Sequence, residues 1–589
     1  MAGRFISAAY PHLSEDDRAA IETAIVGLQG QQGDRAKSIL LGCIPADLFA
    51  TAEARATYEQ LVAAGEIHEN RPAFEMRGGF REFDPDFLFR AEGVSIEEPA
   101  NRELRELTGP VDQFWMGQRN GQLTEEAVAA ILPAMSALHS AINATDTGAH
   151  EAVAEHAFGV LAEAADAIAN LAPDALKRIG AWDVIVNALL SASRAPWPVL
   201  SAEFEEQFNS SISWGAPSAR VAAAQGLVKL LKAADQNERG PLQDAVLALA
   251  RDEVARVRYQ VACGLNTLWY VDQNLVWGEI TRFILEDENR GVIEGALESL
   301  GAVAGTDLDR TTGLAVALLD RFSPGDERAG VSHCRESCIS LLSDLDVNAD
   351  HAPSRAEIGR LVQTPNENSL VLRHLLARRS GTLTVGAPGR PDDPENAVRT
   401  RTLRFYEEAL TAATSRLDDV FAGNDISRFD EWDESAKELV RNMYGILDEL
   451  SIRLFFAAGG HPSGSPITTA QIRLFDEARA FFEQLADCLV PSVAHHVIET
   501  LERYIDVAPS EVFALIARSV RAAERGGYAI ESMAATLIVR IVEQYLADHS
   551  EVFESADRRR DLMNSLDIFV RAGWPAAQAL TFRIPEIWR

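Results

Sequence analysis

Lysine is almost missing from this sequence. It occurs five times, at Lys37, Lys177, Lys229, Lys232 and Lys437, so nearly all of the cationic charge is arginine. Cysteine is also scarce: Cys43, Cys263, Cys334, Cys338 and Cys488 make an odd, scattered set with no Cys-x-x-Cys pair. Such a set excludes a disulfide framework and the common zinc-finger spacings. Cys334 and Cys338 lie one helical turn apart within an apolar face and read as buried thiols. No apolar run approaches the roughly 18 residues of a membrane span, and the first residues lack the apolar core of a signal peptide. The expectation is a cytoplasmic chain with no membrane association.

Nucleotide and catalytic motifs are absent too. No Gly-Lys pair occurs anywhere, which rules out a GxxxxGK[ST] phosphate loop. Neither a GxGxxG following a strand nor a GxSxG elbow is found. The pair His150 and His156 in HEAVAEH is six residues apart, about 600° of helix rotation, so the two rings cannot share a face as zinc ligands must. His495 and His496 sit three and four residues before Glu499, close enough for hydrogen bonds of a structural kind. No catalytic residue, metal ligand or cofactor is expected, and the chain is read as a non-enzyme.

Acid is what the sequence has in excess. Asp and Glu total 88 against 55 Lys and Arg, for a formal charge of −33 and a pI near 4.8. That balance opposes binding to nucleic acid or anionic lipid, where cations must displace counterions, and favours a basic protein partner. One island runs the other way. Arg373, Arg378, Arg379, Arg390, Arg399, Arg401 and Arg404 lie together against Asp392, Asp393 and Glu395. These arginines are the candidate partner-binding residues. An acidic segment of the same molecule, an acidic partner or a nucleic-acid end would each suit them.

At 589 residues the chain is too long for one core. Helical periodicity dominates; the best strand-like run, GTLTVGAP at 381–388, is short. Helix starts are legible at Ser14 and Thr124, each followed by acids. Residues 70–122 mix Phe, Arg, Gly and Pro without a period and are expected to be irregular. The domain expectation is an N-terminal helical region over 1–145 that contains this irregular stretch, helical repeats over 146–379, a loop or linker over 380–400, and a C-terminal helical region over 401–589. Near the end, Trp574, Phe582, Ile584, Ile587 and Trp588 are expected to dock on preceding helices.

The segment DEVARVRYQVACGL at 252–265 sets out the repeat. Val257 and Leu265 stand eight apart with Ala262 and Gly264 between them. Ala219 and Leu227, Val292 and Leu300, and Cys334 and Leu342 share that separation, at successive intervals of 38, 35 and 42 residues. Intervals of about 35–45 residues mark α-solenoids, in which each helix pair covers the apolar face of the next. The expected fold is all-α, an α-solenoid of stacked antiparallel helix pairs. Residues 200–345 resemble the HEAT repeat family, in which an Asp at the start of the second helix precedes an Arg by six residues. Asp252 and Arg258 match; the same six-residue test fails at Asp287, followed by Ile293, and at Arg220, preceded by Trp214. The resemblance implies a polar ladder between repeats through Asp252 and Arg258, with Arg256 on a solvated face. The two chain ends, RFISAAYPHLSEDDRAAIETAI and DLMNSLDIFVRAGWPAAQALTFRIPEIWR, resemble the C-terminal helical regions of large bacterial NTPases of antiphage and other conflict systems. Together these readings point to a protein-binding scaffold or sensor that works by shape, with a nucleic-acid-binding repeat protein using the arginine island as the alternative.

Overall fold

The computed structural model describes residues 10, 13–28, 36–37, 40–42, 44, 48–63, 89, 93–118, 123–144, 148–386, 390, 392–424, 426–460, 466–530 and 532–587. The chain forms two compact units, 1–91 and 92–589. No strand occurs among the described residues.

In the first unit, helices α1 (Glu15–Val26) and α2 (Ala52–Ala63) pack together around Tyr10, Ile25, Leu41, Ile44, Phe49, Ala54 and Tyr58. Ser14 caps α1 by accepting from the Asp17 amide at 3.2 Å. Glu22 is buried at the centre. Burial alone would raise its carboxyl, but hydrogen bonds from Thr51, Tyr10 and the Ala50 amide outweigh that and hold it below the usual carboxylate range.

The second unit opens with α3 (Pro99–Gln118), α4 (Glu125–Ile142), α5 (Glu151–Ile168), α6 (Pro173–Arg178), α7 (Ala181–Ala192) and α8 (Ala202–Phe208). It continues with α9 (Ala219–Ala233), α10 (Gln236–Leu249), α11 (Ala255–Gly264), α12 (Gln273–Glu286), α13 (Arg290–Val303), α14 (Leu308–Arg321), α15 (Val331–Ala349), α16 (Ala352–Gln363) and α17 (Ser369–Arg379). One layer is built from α3, α5, α9, α11, α13 and α15, each packed on the next. A second layer runs through α12, α14, α16 and α18 (Pro394–Gly423), again each on its successor. The chain alternates between the layers, so the unit is an α-solenoid of stacked antiparallel helix pairs.

The repeat positions are equivalent in space. Ala219, Val257, Val292 and Cys334 fall in the first turn of α9, α11, α13 and α15, and all four are fully buried, as are Leu227, Leu265, Leu300 and Leu342. Small residues set the spacing. A Cβ on Gly226, Gly264 or Gly295 would come within 2.8 Å of Leu189, Val228 or Cys263 of the preceding repeat. Removing side-chain bulk at those points lets the helix axes close up and the apolar faces meet without a gap.

Stacking continues past residue 380. A 3₁₀ turn at Ser380–Thr382 leads towards α18, which packs on α15 and α16; residues 387–389 and 391 of the expected loop lie outside the described residues. α19 (Glu434–Ala457) packs on α17 and α18, and is followed by α20 (Thr469–Glu477), α21 (Arg479–Leu485), α22 (Pro491–Glu502), α23 (Pro509–Glu524), α24 (Ser532–Asp548), α25 (Ala556–Arg571) and α26 (Pro575–Ile587). Prolines open α18, α22, α23 and α26, where a missing N–H costs nothing.

Two expectations need correction. The stretch 70–122 is not irregular throughout, because 99–118 is helix α3. Its buried stripe is Leu104, Thr108, Val111 and Trp115, a helical spacing hidden by a Thr and by dense charge around it. Phe74, Phe80, Phe83 and Phe87 lie outside the described residues, whereas Phe89 is buried. Phe582 does not dock: it is 79% exposed. The buried side of α26 carries Ala577 and Leu580, and a residue two positions beyond Leu580 points about 200° away. Trp574 does dock, donating to the Ala529 carbonyl at 2.6 Å. Trp588 and the side chains of Ile584 and Ile587 lie outside the described residues.

Candidate protein-binding face

The starts of α9, α11 and α13 carry a charge ladder. Arg220 of one repeat meets Asp252 of the next at 3.2 Å. Arg258 of that repeat meets Asp287 of the following one through two bonds of 2.8 and 3.0 Å. A third arm of Arg258 donates to the carbonyls of Asp252 and Glu253 at 2.8 and 3.0 Å. Burial works against the charge on Arg258, but the Asp287 carboxylate outweighs it and its pKa is raised. Burial also raises Asp252, against the Val254 amide and Arg220. The partners Arg220 and Asp287 escape a six-residue test within one repeat, because the pairing runs between repeats. A signal was nevertheless present: Arg220 to Arg258 and Asp252 to Asp287 span 38 and 35 residues, the intervals of the apolar positions themselves.

Beyond the ladder, the solvent side of α13, α15 and α17 forms a groove of about 440 Å³. It is lined by Glu294, Glu298, Glu336 and Asp344, with His333, His374 and Arg378. Arg378 is bound to Asp344 at 2.6 and 3.1 Å, which leaves three glutamates facing the groove. Glu294 is half-buried. Burial pushes its carboxyl up, and Glu298 and Glu336 add to the push, against the pull of His333 and a hydrogen bond with Ser337. Three carboxylates held this close on rigid helices gain from an incoming cation.

The arginine island is arranged differently. Arg379 is 3% exposed and reaches Asp346 at 3.4 Å, and burial lowers its pKa to about 10. Asp346 also takes Arg404 at 3.0 Å and Arg355 at 3.2 Å. Arg399 is 1% exposed and bound to Glu477 at 2.7 Å. Arg401 donates to the Val347 carbonyl at 2.6 Å and lies 3.9 Å from Asp350. Five of the seven arginines therefore engage acids of this chain. Arg379 and Arg399 are withdrawn from solvent altogether, because the packing of α15, α17, α18 and α20 closes over them. Arg373 and Arg390 are exposed and have no ion pair among the described residues.

His150, His156, His495 and His496 each have a local partner. His150 caps α5 by accepting from the Ala152 amide at 3.2 Å, and His156 lies 3.7 Å from Asp112, so the two do different things. His495 and His496 each stand 3.5 Å from Glu499, and their hydrogen bonds lower its pKa to about 2. No group of three or more metal-ligating side chains occurs among the described residues. Among the described helices, none is long and apolar enough to cross a membrane. Cys334 and Cys338 are buried; Cys43 lies outside the described residues.

No protein-family profile matches the chain, and no curated protein sequence does. Solved structures match it weakly, three of them as follows. Importin beta aligns at 12% identity over 96% of this chain and 77% of that one, with a TM-score of 0.30. Yeast importin-beta (Kap95p) aligns at 11% over 99% and 83%, with a TM-score of 0.23. An engineered protein aligns at 14% over 79% and 95%, with a TM-score of 0.25. At such scores the likeness carries no argument, and the α-solenoid architecture rests on this chain's own layer-by-layer packing.

Proposed function

We propose that this chain is a non-enzymatic scaffold or sensor that binds a basic segment of a protein partner along the groove on α13, α15 and α17. The observation that carries this reading is the trio Glu294, Glu298 and Glu336 on two successive repeats, with few cations to balance them. The rigidity of stacked helices supports it, because pre-set carboxylates bind a cationic segment without a reorganisation cost. The ladder through Asp252 and Arg258 would serve this by fixing the pitch between repeats. A role in a bacterial defence or signalling assembly, within the cytoplasm, draws support from the resemblance at the two chain ends alone. The nucleic-acid alternative is disfavoured by the internal pairing of the arginine island; it would have to use Arg373 and Arg390.

Binding of an arginine-rich decapeptide, measured by calorimetry, tests the reading. The triple change Glu294→Gln, Glu298→Gln, Glu336→Gln is expected to weaken binding about tenfold at physiological salt. A control that removes three exposed acids of the first unit, Asp16→Asn, Glu53→Gln and Glu59→Gln, should change it less than twofold. Equal losses in both variants would mean that only net charge matters, and the groove would lose its assignment.

A further inference from the structure

The segment 198–217 leaves the stack after α7 and returns at α9, and on the way it straps across three repeats. Glu205 accepts from the Ala255 amide at 2.9 Å and, through its carbonyl, from Asn289 at 3.0 Å. Asn209 accepts from the Arg290 amide at 3.0 Å. Two glycines make room for it: a Cβ on Gly291 would stand 2.5 Å from the Phe208 carbonyl, and one on Gly330 would overlap the Asn209 carbonyl.

Between this strap and α11 lies a pocket of about 150 Å³, bordered by Ser201, Phe204, Glu205, Phe208, Trp214 and Arg256. That volume matches one benzene ring, and the lining is mixed, with the rings of Phe204, Phe208 and Trp214 beside the polar Ser201, Glu205 and Arg256. Phe204 is 57% exposed and Trp214 37%, large rings that the strap presents and does not bury. Arg256 stands over Phe204, its guanidinium carbon 5.5 Å from the ring centroid. The arginines on either side are committed, Arg220 to Asp252 and Arg258 to Asp287. Arg256 is not: among the described residues it has no ion pair, and its Nε is buried without an acceptor. Burial works against its charge and lowers its pKa; the carboxylates of Glu205 and Glu155 only partly offset that, and Glu205 already serves the Ala255 amide. A guanidinium carries five donors in a planar fork, and leaving the buried Nε donor unmet is costly.

We propose that this pocket binds a small carboxylate that bears one aromatic ring. The carboxylate pairs with the guanidinium of Arg256, and the ring lies among Phe204, Phe208 and Trp214. This proposal is independent of the acidic groove.

The probe is phenylacetate, with phenylacetamide as its neutral isostere, followed on the full chain by saturation-transfer NMR. Phenylacetate is expected to bind at least tenfold more tightly than the amide. Arg256→Gln should bring it down to the amide's level, Arg256→Lys should recover only part of the loss, and Trp214→Ala should weaken both probes. No saturable response to phenylacetate at millimolar concentration, equal responses to the two probes, or full binding by Arg256→Gln would each overturn the proposal. Should Arg256→Gln fail to fold, the comparison of the two probes on the unaltered chain still decides.

Discussion

Arg258 of one repeat grips Asp287 of the next through two parallel hydrogen bonds of 2.8 and 3.0 Å, with the side chains 15% and 4% exposed. Pairing of this kind is cheap to keep and costly to halve, since removal of one partner strands a buried charge. Arg258→Ala and Asp287→Asn are each expected to destabilise the repeats by about 3 kcal/mol. The double variant should lose clearly less than the sum of the two. Denaturant titration followed by hydrogen exchange over α11 to α13 checks this; strict additivity would show that the pair does not couple the repeats.

The strap depends on two missing side chains. Gly291→Val and Gly330→Val should lift 198–217 off α13 and α15, and Gly330 also sits at φ +80, where a β-branched residue is strained. Amides of the strap are expected to exchange faster in both variants while α9 stays protected. Gly313→Ala, where nothing lies within 4 Å of the new Cβ, should be neutral or slightly stabilising.

The four described thiols, Cys263, Cys334, Cys338 and Cys488, should be inert. Burial pushes Cys334 and Cys263 up to about 12 and Cys488 up to about 11, and Cys338 is raised further still. Thiolate, not thiol, is the nucleophile, so iodoacetamide at pH 8 should leave all four unmodified in the folded chain and label them after denaturation. Fast labelling of Cys334 or Cys338 in native protein would contradict their burial, and fast labelling of the part-exposed Cys263 or Cys488 would contradict their raised pKa.

Glu499 provides a pH dependence with a definite sign. Its folded pKa is lowered from 4.5 to about 2 by hydrogen bonds from His495 and His496. A depressed carboxyl stabilises the fold above its unfolded pKa, and that contribution fades as pH falls through the folded value. The stability gap between the unaltered chain and Glu499→Gln should therefore be widest above pH 4.5 and close on the way down to about 2. A gap that stayed constant across that window would show that the carboxylate charge is not what the histidines hold.

Much of the architecture is legible along the chain, for a local reason. Ala219, Val257, Val292 and Cys334 recur because each repeat must bury the same face against its neighbour, and burial selects residue type position by position. Helix starts at Ser14 and Thr124 are legible because a cap acts within four residues. Less of the candidate face could be read. Glu294, Glu298 and Glu336 look like ordinary solvated acids until α13 and α15 are set side by side. Helix α3 was missed because Thr108 completes the stripe of Leu104, Val111 and Trp115, and an apolar count does not register a threonine.

What the sequence determined by itself is the helical class, the repeat interval and the acidic balance, all of which follow from composition and short-range periodicity. Only the tertiary structure decided which charges are spent inside the molecule and which remain on its surface. Arg379 and Arg399 vanish into ion pairs with Asp346 and Glu477, partners 33 and 78 residues away, while Arg256, flanked by committed arginines, has none among the described residues. The physical reason is that helix formation and apolar periodicity are set among residues a few positions apart, but pairing of charges depends on which helices the fold brings within about 4 Å, and that distance is a property of the stack.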